Sequence, residues 1–283
     1  MLGIVILNYK TWNETLDCIK SIDKHIGDIN YRVYVVDNAS PNKPDEETLG
    51  LLTGNPRVEL IMHDENKGYS AGNNVGLKAA LRDECEYVLI CNSDILFVDD
   101  SINKMISFLV ENNNVGIVGP QVYNGEGVFQ PLYMKCRLTG MGKIKNMCLH
   151  TKLAFLGRRF EKKFIQRTEI EEPMKMFGTS GCCFMMSKEC LQYLYPLDER
   201  TFLYEEEYII GAILEKSKFD IYVIPNTHVI HNHSVSIGGI SKFSYKCMMD
   251  SEQIYLKYYI KSLFIMRKTI WLIRKVLLKR IKQ

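Results

Sequence analysis

The sequence predicts an α/β protein, a largely parallel sheet covered by helices on both faces. Three observations lead there. Over about the first 120 residues, short apolar runs alternate with amphipathic helical stretches, the order of repeated β–α units. The runs are apolar at nearly every position rather than at every second one, as strands buried on both faces require. Three of them end in polar residues, Asn8, Asp37-Asn38 and Asn92-Ser93-Asp94, and such sheets bind ligands beyond the carboxyl ends of their strands. With 283 residues, 46% of them apolar, the chain can bury a substantial core.

The first run, "GIVILNY", is a strand. The N-terminal segment has no basic n-region and its apolar stretch is too short for a signal peptide or a membrane span, so it reads as the first core strand, while the scattered cysteines make the cytosol the expected compartment. "WNETLDCIKSI" carries apolar residues at helical spacing, "YRVYVVDNAS" returns to a strand, and "DEETLGLL" is a short helix opened by acids. The alternation continues with strand "VELIMH", helix "SAGNNVGLKAAL", strand "YVLICNSD", helix "SINKMISFLVE" with Asp99 and Asp100 as candidate caps, and strand "VGIVGPQV". Between Gln121 and Pro173 the periodicity weakens. Two basic stretches there, "KCRLTGMGKIKN" and "GRRFEKKFIQR", read either as an acceptor loop near lipid headgroups or as a solvated face. "FGTSGCCFMM" places small residues ahead of another strand-like run, and no internal repeat is present.

Nine cysteines, odd in number and mostly within apolar segments, do not form a secreted disulfide framework, and Cys182, Cys183 and Cys190 lack zinc-ligand spacing. The net charge of +3 conceals an asymmetry. Lys257 to Gln283 holds nine Lys/Arg and no acid, which leaves 27 basic against 33 acidic residues elsewhere. A uniformly basic nucleic-acid-binding domain is therefore disfavoured, and an anionic surface met by the C-terminus is favoured.

Two nucleotide-binding chemistries compete. A dinucleotide-binding oxidoreductase needs G-x-G-x-x-G in its first strand-to-helix turn, so that the backbone can approach a pyrophosphate. That turn is "NYKTWN" here, and Gly68, Gly72 and Gly76 follow the third strand at the wrong spacing. The rival is a nucleotide-sugar enzyme, in which a strand-end carboxylate holds a divalent cation against a diphosphate while leaving positions open for phosphate oxygens. Asp94 supplies that carboxylate, with Asn92 and Ser93 beside it; the plain alternative is a turn whose Asp caps the next helix.

The segments "VILNYKTWNETLDCIKSI", "VVDNAS", "NKGYSAGNNVG", "NSD", "SGCCFMMSKE" and "PLDERTFLYEEEYIIGAILEKSKFDIYVIPNTHVIHNHS", in this order across roughly residues 2 to 240, resemble glycosyltransferase family 2, especially its bacterial rhamnosyltransferase-like members. The resemblance implies a GT-A fold, inversion at the sugar, and a Mn or Mg ion. It makes Asp37 the carboxylate that accepts the N3–H of uridine or thymidine, although an Asx-turn with Ser40 is the local alternative. Asn8 joins it at a strand end. Asn66, Gly68 and Asn73 correspond to the loop along the nucleotide, and Asp94 to the last acid of a D-x-D motif whose first acid is here Asn92. His231 matches the family histidine that reaches the metal or diphosphate, with His233 as its alternative and His228 as a structural histidine. Gly181 matches the glycine whose backbone nears the sugar. "FLYEEE" aligns Glu207 with the family's Asp base and Glu206 with the preceding Glu, so either can deprotonate the acceptor. Three successive acids repel one another, so at least one of Glu205, Glu206 and Glu207 is expected to face water.

The implied domain is residues 1–240, a nucleotide-binding half 1–120 and an acceptor and catalytic half 121–240, followed by a tail, 241–283. At 100° per residue Leu263, Met266, Ile270, Ile273, Leu277 and Ile281 form one arc of that tail. Lys257, Lys261, Lys268, Lys275, Lys279 and Lys282 form the other, with Arg267, Arg274 and Arg280 at the flanks. Such a helix lies on an anionic membrane surface; the alternatives are packing on the catalytic domain or on a second subunit of a homodimer. The expected enzyme transfers a sugar from a UDP- or dTDP-linked donor, dTDP-rhamnose first, to a lipid-linked saccharide at the inner face of the membrane. An NAD oxidoreductase and an inactive nucleotide-sugar-fold adaptor are the other classes.

Overall fold

The computed structural model describes residues 1–148, 163–232, 241–279 and 281. Its first half follows the predicted alternation: β1 (Leu2–Asn8), α1 (Trp12–His25), β2 (Tyr31–Asp37), α2 (Glu46–Gly54), β3 (Val58–Met62), α3 (Tyr69–Arg82) and β4 (Tyr87–Asn92). Then come β5 (Ile95–Phe97), α4 (Ser101–Glu111), β6 (Val115–Gly119) and β7 (Val122–Tyr123). The stretch without clear periodicity holds short pieces, β8 (Tyr133–Met134), α5 (Gly140–Cys148), β9 (Ile165–Gln166) and β10 (Met174–Met176). Beyond it lie β11 (Cys183–Ser187), α6 (Lys188–Leu194), α7 (Glu206–Leu214), β12 (Asp220–Val223) and β13 (Val229–His231).

Eight strands form the main sheet in the order β10-β12-β6-β11-β4-β1-β2-β3. All run parallel except β11 and β10. β1 lies inside the sheet between β4 and β2, and its residues Ile4, Val5 and Ile6 are fully buried, which is why the run is apolar on both faces. Helix α3 lies close against β1. A Cβ on Gly72 or Gly76 would come within 2.5 Å of Leu7 Cδ1 or 2.4 Å of Val5 Cγ1, so these glycines serve helix-to-strand packing. Asp99, not Asp100, bonds the start of α4, accepting from the Ser101 N–H at 2.9 Å.

Two pairings that join distant parts of the chain shape the site. The reversed strand β11 inserts between β4 and β6 with Cys183 opposite Cys91, and the Asn92 N–H donates to the Cys182 carbonyl at 2.8 Å. A second sheet, β5-β13-β7, sets His231 opposite Ile95, and the Asn232 N–H donates to the Asp94 carbonyl at 2.9 Å.

The segment read as a tail packs onto the catalytic body. α8 (Lys242–Ile254) continues through a π-helical turn at Tyr255–Tyr259, and α9 (Phe264–Leu278) folds back over α8 and α5. Ile270 is fully buried with Tyr255, Leu256, Ile209, Ala212 and Met147, and Met266, Ile273 and Leu277 pack around them. Burial of each such apolar side chain contributes about 1.5–3 kcal/mol. Here the expectation is corrected: the central residues of the arc assigned to a membrane are covered by protein, and Arg274, placed at a flank near headgroups, is buried against Glu252. Leu263 alone of that arc's described members is widely exposed, together with Phe264, Ile265, Leu272 and Val276 from the helix's other faces.

Candidate active site

The site stands at the carboxyl ends of β1, β2 and β4. The register sets Asn8 beside Asp37 and Leu7 beside Asn92, so the polar strand ends meet in one row. Asp37 is buried, with one oxygen accepting from the Asn8 amide at 2.8 Å and the other from the Ser40 N–H at 3.1 Å. The Asx-turn is therefore formed. Asn8 is fully buried and accepts from Thr11 and Thr15, so it braces Asp37 and the start of α1 instead of facing a ligand. Ser93 meets the Thr11 hydroxyl at 2.7 Å, which ties the "NSD" turn to the same braced corner.

Asn66 is bonded to Asn38 at 3.1 Å and to the Gly68 N–H at 3.0 Å. Gly68 has φ +96°, and a Cβ there would lie 2.1 Å from the Phe202 carbonyl oxygen. This close approach joins the loop before α3 to the segment that leads into α7, with the Tyr69 N–H donating to Phe202 O at 2.8 Å. Asn73 departs from its expected place along the nucleotide. It is fully buried, with its amide on the Tyr69 carbonyl at 3.0 Å, because α3 turns this face into the core.

Asp94 and His231 are brought together, Nε2 to Oδ1 at 3.3 Å, with His231 nearly covered and Asp94 partly open. Burial alone would disfavour the charged imidazole, yet hydrogen bonds to Asp94 and Cys182 push its pKa up to about 10. A carboxylate oxygen and an imidazole nitrogen at this separation match two adjacent ligands of an octahedral ion, which at about 2.1 Å each lie roughly 3 Å apart. The two groups are the right donors for a divalent cation once Nε2 gives up the proton it shares with Asp94, so a cation would bind here in exchange for that proton. Among the described residues no cluster of three such side chains could hold one, so substrate oxygens and water would complete the shell. His233 lies outside the described residues. His228 stacks on Tyr123 with ring centroids 3.9 Å apart, a structural role as expected.

Glu207 meets the same strand end at Gly181. Its Oε1 accepts from the Gly181 N–H at 3.1 Å, and the Tyr69 hydroxyl donates to the Gly181 carbonyl. Burial raises the Glu207 pKa, against the lowering effect of backbone N–H donors including that of Gly181. Glu206 points away, into the interior near Leu197 and Ile213, and burial followed by repulsion from Glu207 holds its pKa far above the ordinary value. Glu205 turns to a third direction, onto the buried Lys143. Of the three acids Glu205 and Glu206 are buried and Glu207 alone is partly open, and their repulsion is relieved by divergence and by the ion pair of Glu205 with Lys143. The sequence offered no separate signal for Tyr69 or Cys182 beyond adjacency to Gly68 and Gly181. The large cleft of about 590 Å³ around Lys175, Phe219 and Asp220 opens at the opposite end of the strands.

A family model, glycosyl transferase family 2, matches residues 3–194. The chain belongs to that family. This glycosyltransferase is 25% identical over 90% of its length to the low-salt glycan biosynthesis hexosyltransferase Agl10 of Haloferax volcanii, covering 74% of that protein. It is 23% identical over 82% of its length to the dTDP-rhamnosyl transferase RfbF of Shigella flexneri, covering 71% of it. Among solved structures, GalNAc-T7 with UDP, GalNAc and Mn2+ superposes over 98% of this chain and 54% of its own at TM-score 0.63 and 11% identity, which shows the GT-A fold. An NAD oxidoreductase and an inactive adaptor are both set aside by the family.

Proposed function

We propose that the glycosyltransferase moves one sugar, with inversion, from a dTDP- or UDP-linked donor to a lipid-linked saccharide at a membrane surface. dTDP-rhamnose is the first choice of donor, supported by the similarity to a dTDP-rhamnosyl transferase. The observation that carries the reading is that the Asp94–His231 pair and Glu207 both adjoin the Gly181-Cys182 strand end, His231 through Cys182 and Glu207 through the Gly181 N–H. Asp94 and His231 would hold Mn or Mg, which would supply positive charge to the leaving diphosphate. Asp37, held by Asn8 and Ser40, and Asn66 form the nucleotide side. Glu207 takes the proton of the acceptor hydroxyl as that oxygen bonds to the anomeric carbon and the bond to the diphosphate oxygen breaks on the far face. Its raised pKa suits a general base, and Glu206, which points inward, does not reach the reacting atoms.

The acceptor side rests on the surface of α9. Leu263, Phe264 and Ile265 are all more than two-thirds exposed, and Lys261, Lys268 and Lys275 are exposed around them. No helix among the described residues is long and apolar enough to cross a membrane. An apolar ridge ringed by cations suits the plane of an anionic bilayer, which supports a peripheral position at the inner membrane face. A second copy of the chain on this ridge is the alternative. The test is a donor panel of dTDP-rhamnose, UDP-glucose and UDP-galactose, each with Mn, Mg or chelator, scored for nucleotide release with and without a prenyl-diphosphate saccharide. Release that ignores metal or shows no acceptor stimulation with any donor overturns the reading.

A further inference from the structure

The segment that carries Glu207 has an unusual backbone. Tyr204 and Glu205, neither of them glycine, follow one another at φ +72° and +71°, a region that side chains disfavour. Glu205 is the residue before α7, and its carbonyl accepts the first-turn bond from Ile209 at 2.9 Å, so its conformation sets where α7 begins and where Glu207 points. Such a conformation persists only where surrounding contacts impose it.

Those contacts come from α5 and the C-terminal helices. The buried Glu205 carboxylate is paired with Lys143 of α5, itself only 3% exposed. Lys143 Nζ also lies 3.9 Å from Glu252 of α8, and Arg274 of α9 clamps Glu252 at 2.8 and 3.0 Å. The four charges alternate in sign and cancel. Lys143 sits 4.6 Å from the ring centre of Tyr208, on α7 itself. Two further ties reach the same segment: the Ser251 hydroxyl donates to the Leu203 carbonyl at 2.8 Å, and the Tyr259 hydroxyl to Asp198 at 2.5 Å.

We infer that Lys143, seated through Glu252 and Arg274, is a positioning residue that holds Tyr204-Glu205 in the left-handed conformation and thereby aims Glu207, so the C-terminal helices are part of the catalytic apparatus as well as a surface for docking. The inference rests on the reading of Glu207 as the base. None of the four charged groups touches the reacting atoms. They act by removing alternatives: without Lys143 the buried Glu205 carboxylate loses its ion-pair partner, and the segment relaxes to bring it to water.

The test compares Lys143→Met, the double variant Lys143→Met/Glu205→Gly, and Glu207→Gln in the full chain, using dTDP-rhamnose turnover and amide exchange of Glu206 to Ile209. Lys143→Met is expected to lower kcat about 10- to 100-fold with donor KM within about twofold, and to speed exchange in this turn at least about tenfold. Glycine enters φ near +70° without steric cost and takes away the unpaired carboxylate, so the double variant is expected to regain at least about threefold of the kcat lost by Lys143→Met, with exchange slower than in Lys143→Met but faster than in the wild type because Tyr204 stays strained. A role in stability alone lowers the melting temperature and leaves kcat unchanged well below it. Unchanged exchange in Lys143→Met, or no recovery by Glu205→Gly in a folded double variant, overturns the inference whatever the donor. If Glu207→Gln turns over normally, the base assignment fails instead; if it is dead while Lys143→Met is fully active, only the positioning inference fails.

Discussion

Gly181 separates two explanations of one small residue. If it gives the sugar room, an added methyl obstructs the donor; if it gives Glu207 room, an added methyl displaces the base. The three atoms nearest to a Cβ built at Gly181 all belong to Glu207, at 2.7 Å for Oε1, 3.3 Å for Cδ and 3.5 Å for Cγ, and the backbone φ is not in the left-handed region. Gly181→Ala therefore carries no conformational penalty, and the carboxylate must retreat by about 0.7 Å to reach ordinary contact near 3.4 Å. That retreat stretches the 3.1 Å bond from the Gly181 N–H, a charge-assisted contact of about 1.5–3 kcal/mol. A base moved by this distance loses about one to two orders of magnitude in kcat. The assay is steady-state turnover with calorimetric titration of UDP and dTDP. The expected outcome is a fall in kcat of about 10- to 100-fold with nucleotide affinity within about twofold and an unchanged melting curve. Weakened donor binding at unchanged kcat would assign the space to the sugar, and wild-type kinetics would refute both.

Other outcomes follow from the same geometry. Asp94→Ala is expected to abolish the gain in UDP and dTDP affinity on adding Mn, at least tenfold or about 1.4 kcal/mol, with Asn92→Ala milder; wild-type affinity indifferent to chelator counts against the cation site. Because burial raises the Glu207 pKa and only the ionised form accepts a proton, kcat should fall as pH drops through a value above 4.5, and Glu207→Gln should remove that acid limb along with about two orders of magnitude in rate. An acid limb retained in Glu207→Gln would point to another group. Phe264→Ser/Ile265→Ser is expected to release the enzyme from vesicles containing phosphatidylglycerol while leaving the fold intact, since both side chains are more than two-thirds exposed, and binding by the parent should weaken with salt. Equal vesicle binding by the variant, with a changed oligomeric state, would move the ridge to a subunit contact.

By itself the sequence determined the elements that are local and repetitive. Five strands of the main alternation, β1 to β4 and β6, and their helices are legible because buried parallel strands must be apolar throughout and covering helices must be apolar on one face, and Asp94 and Glu207 stand out as acids at element ends. What no window of sequence contains is pairing across long separations. The insertion of β11 between β4 and β6 puts Gly181-Cys182 beside Asn92, and the pairing of β13 with β5 puts His231 against Asp94. Periodicity also cannot say what an apolar arc will face. The arc through Ile270 has the same spacing whether it meets lipid or protein, and only the partners on α8, α5 and α7 decided it. Three acids in a row look alike in sequence, and the tertiary structure differentiated them through an ion pair with Lys143 for Glu205, a dry interior for Glu206 and the Gly181 N–H for Glu207, because the state of a carboxyl group is set by what surrounds it in space.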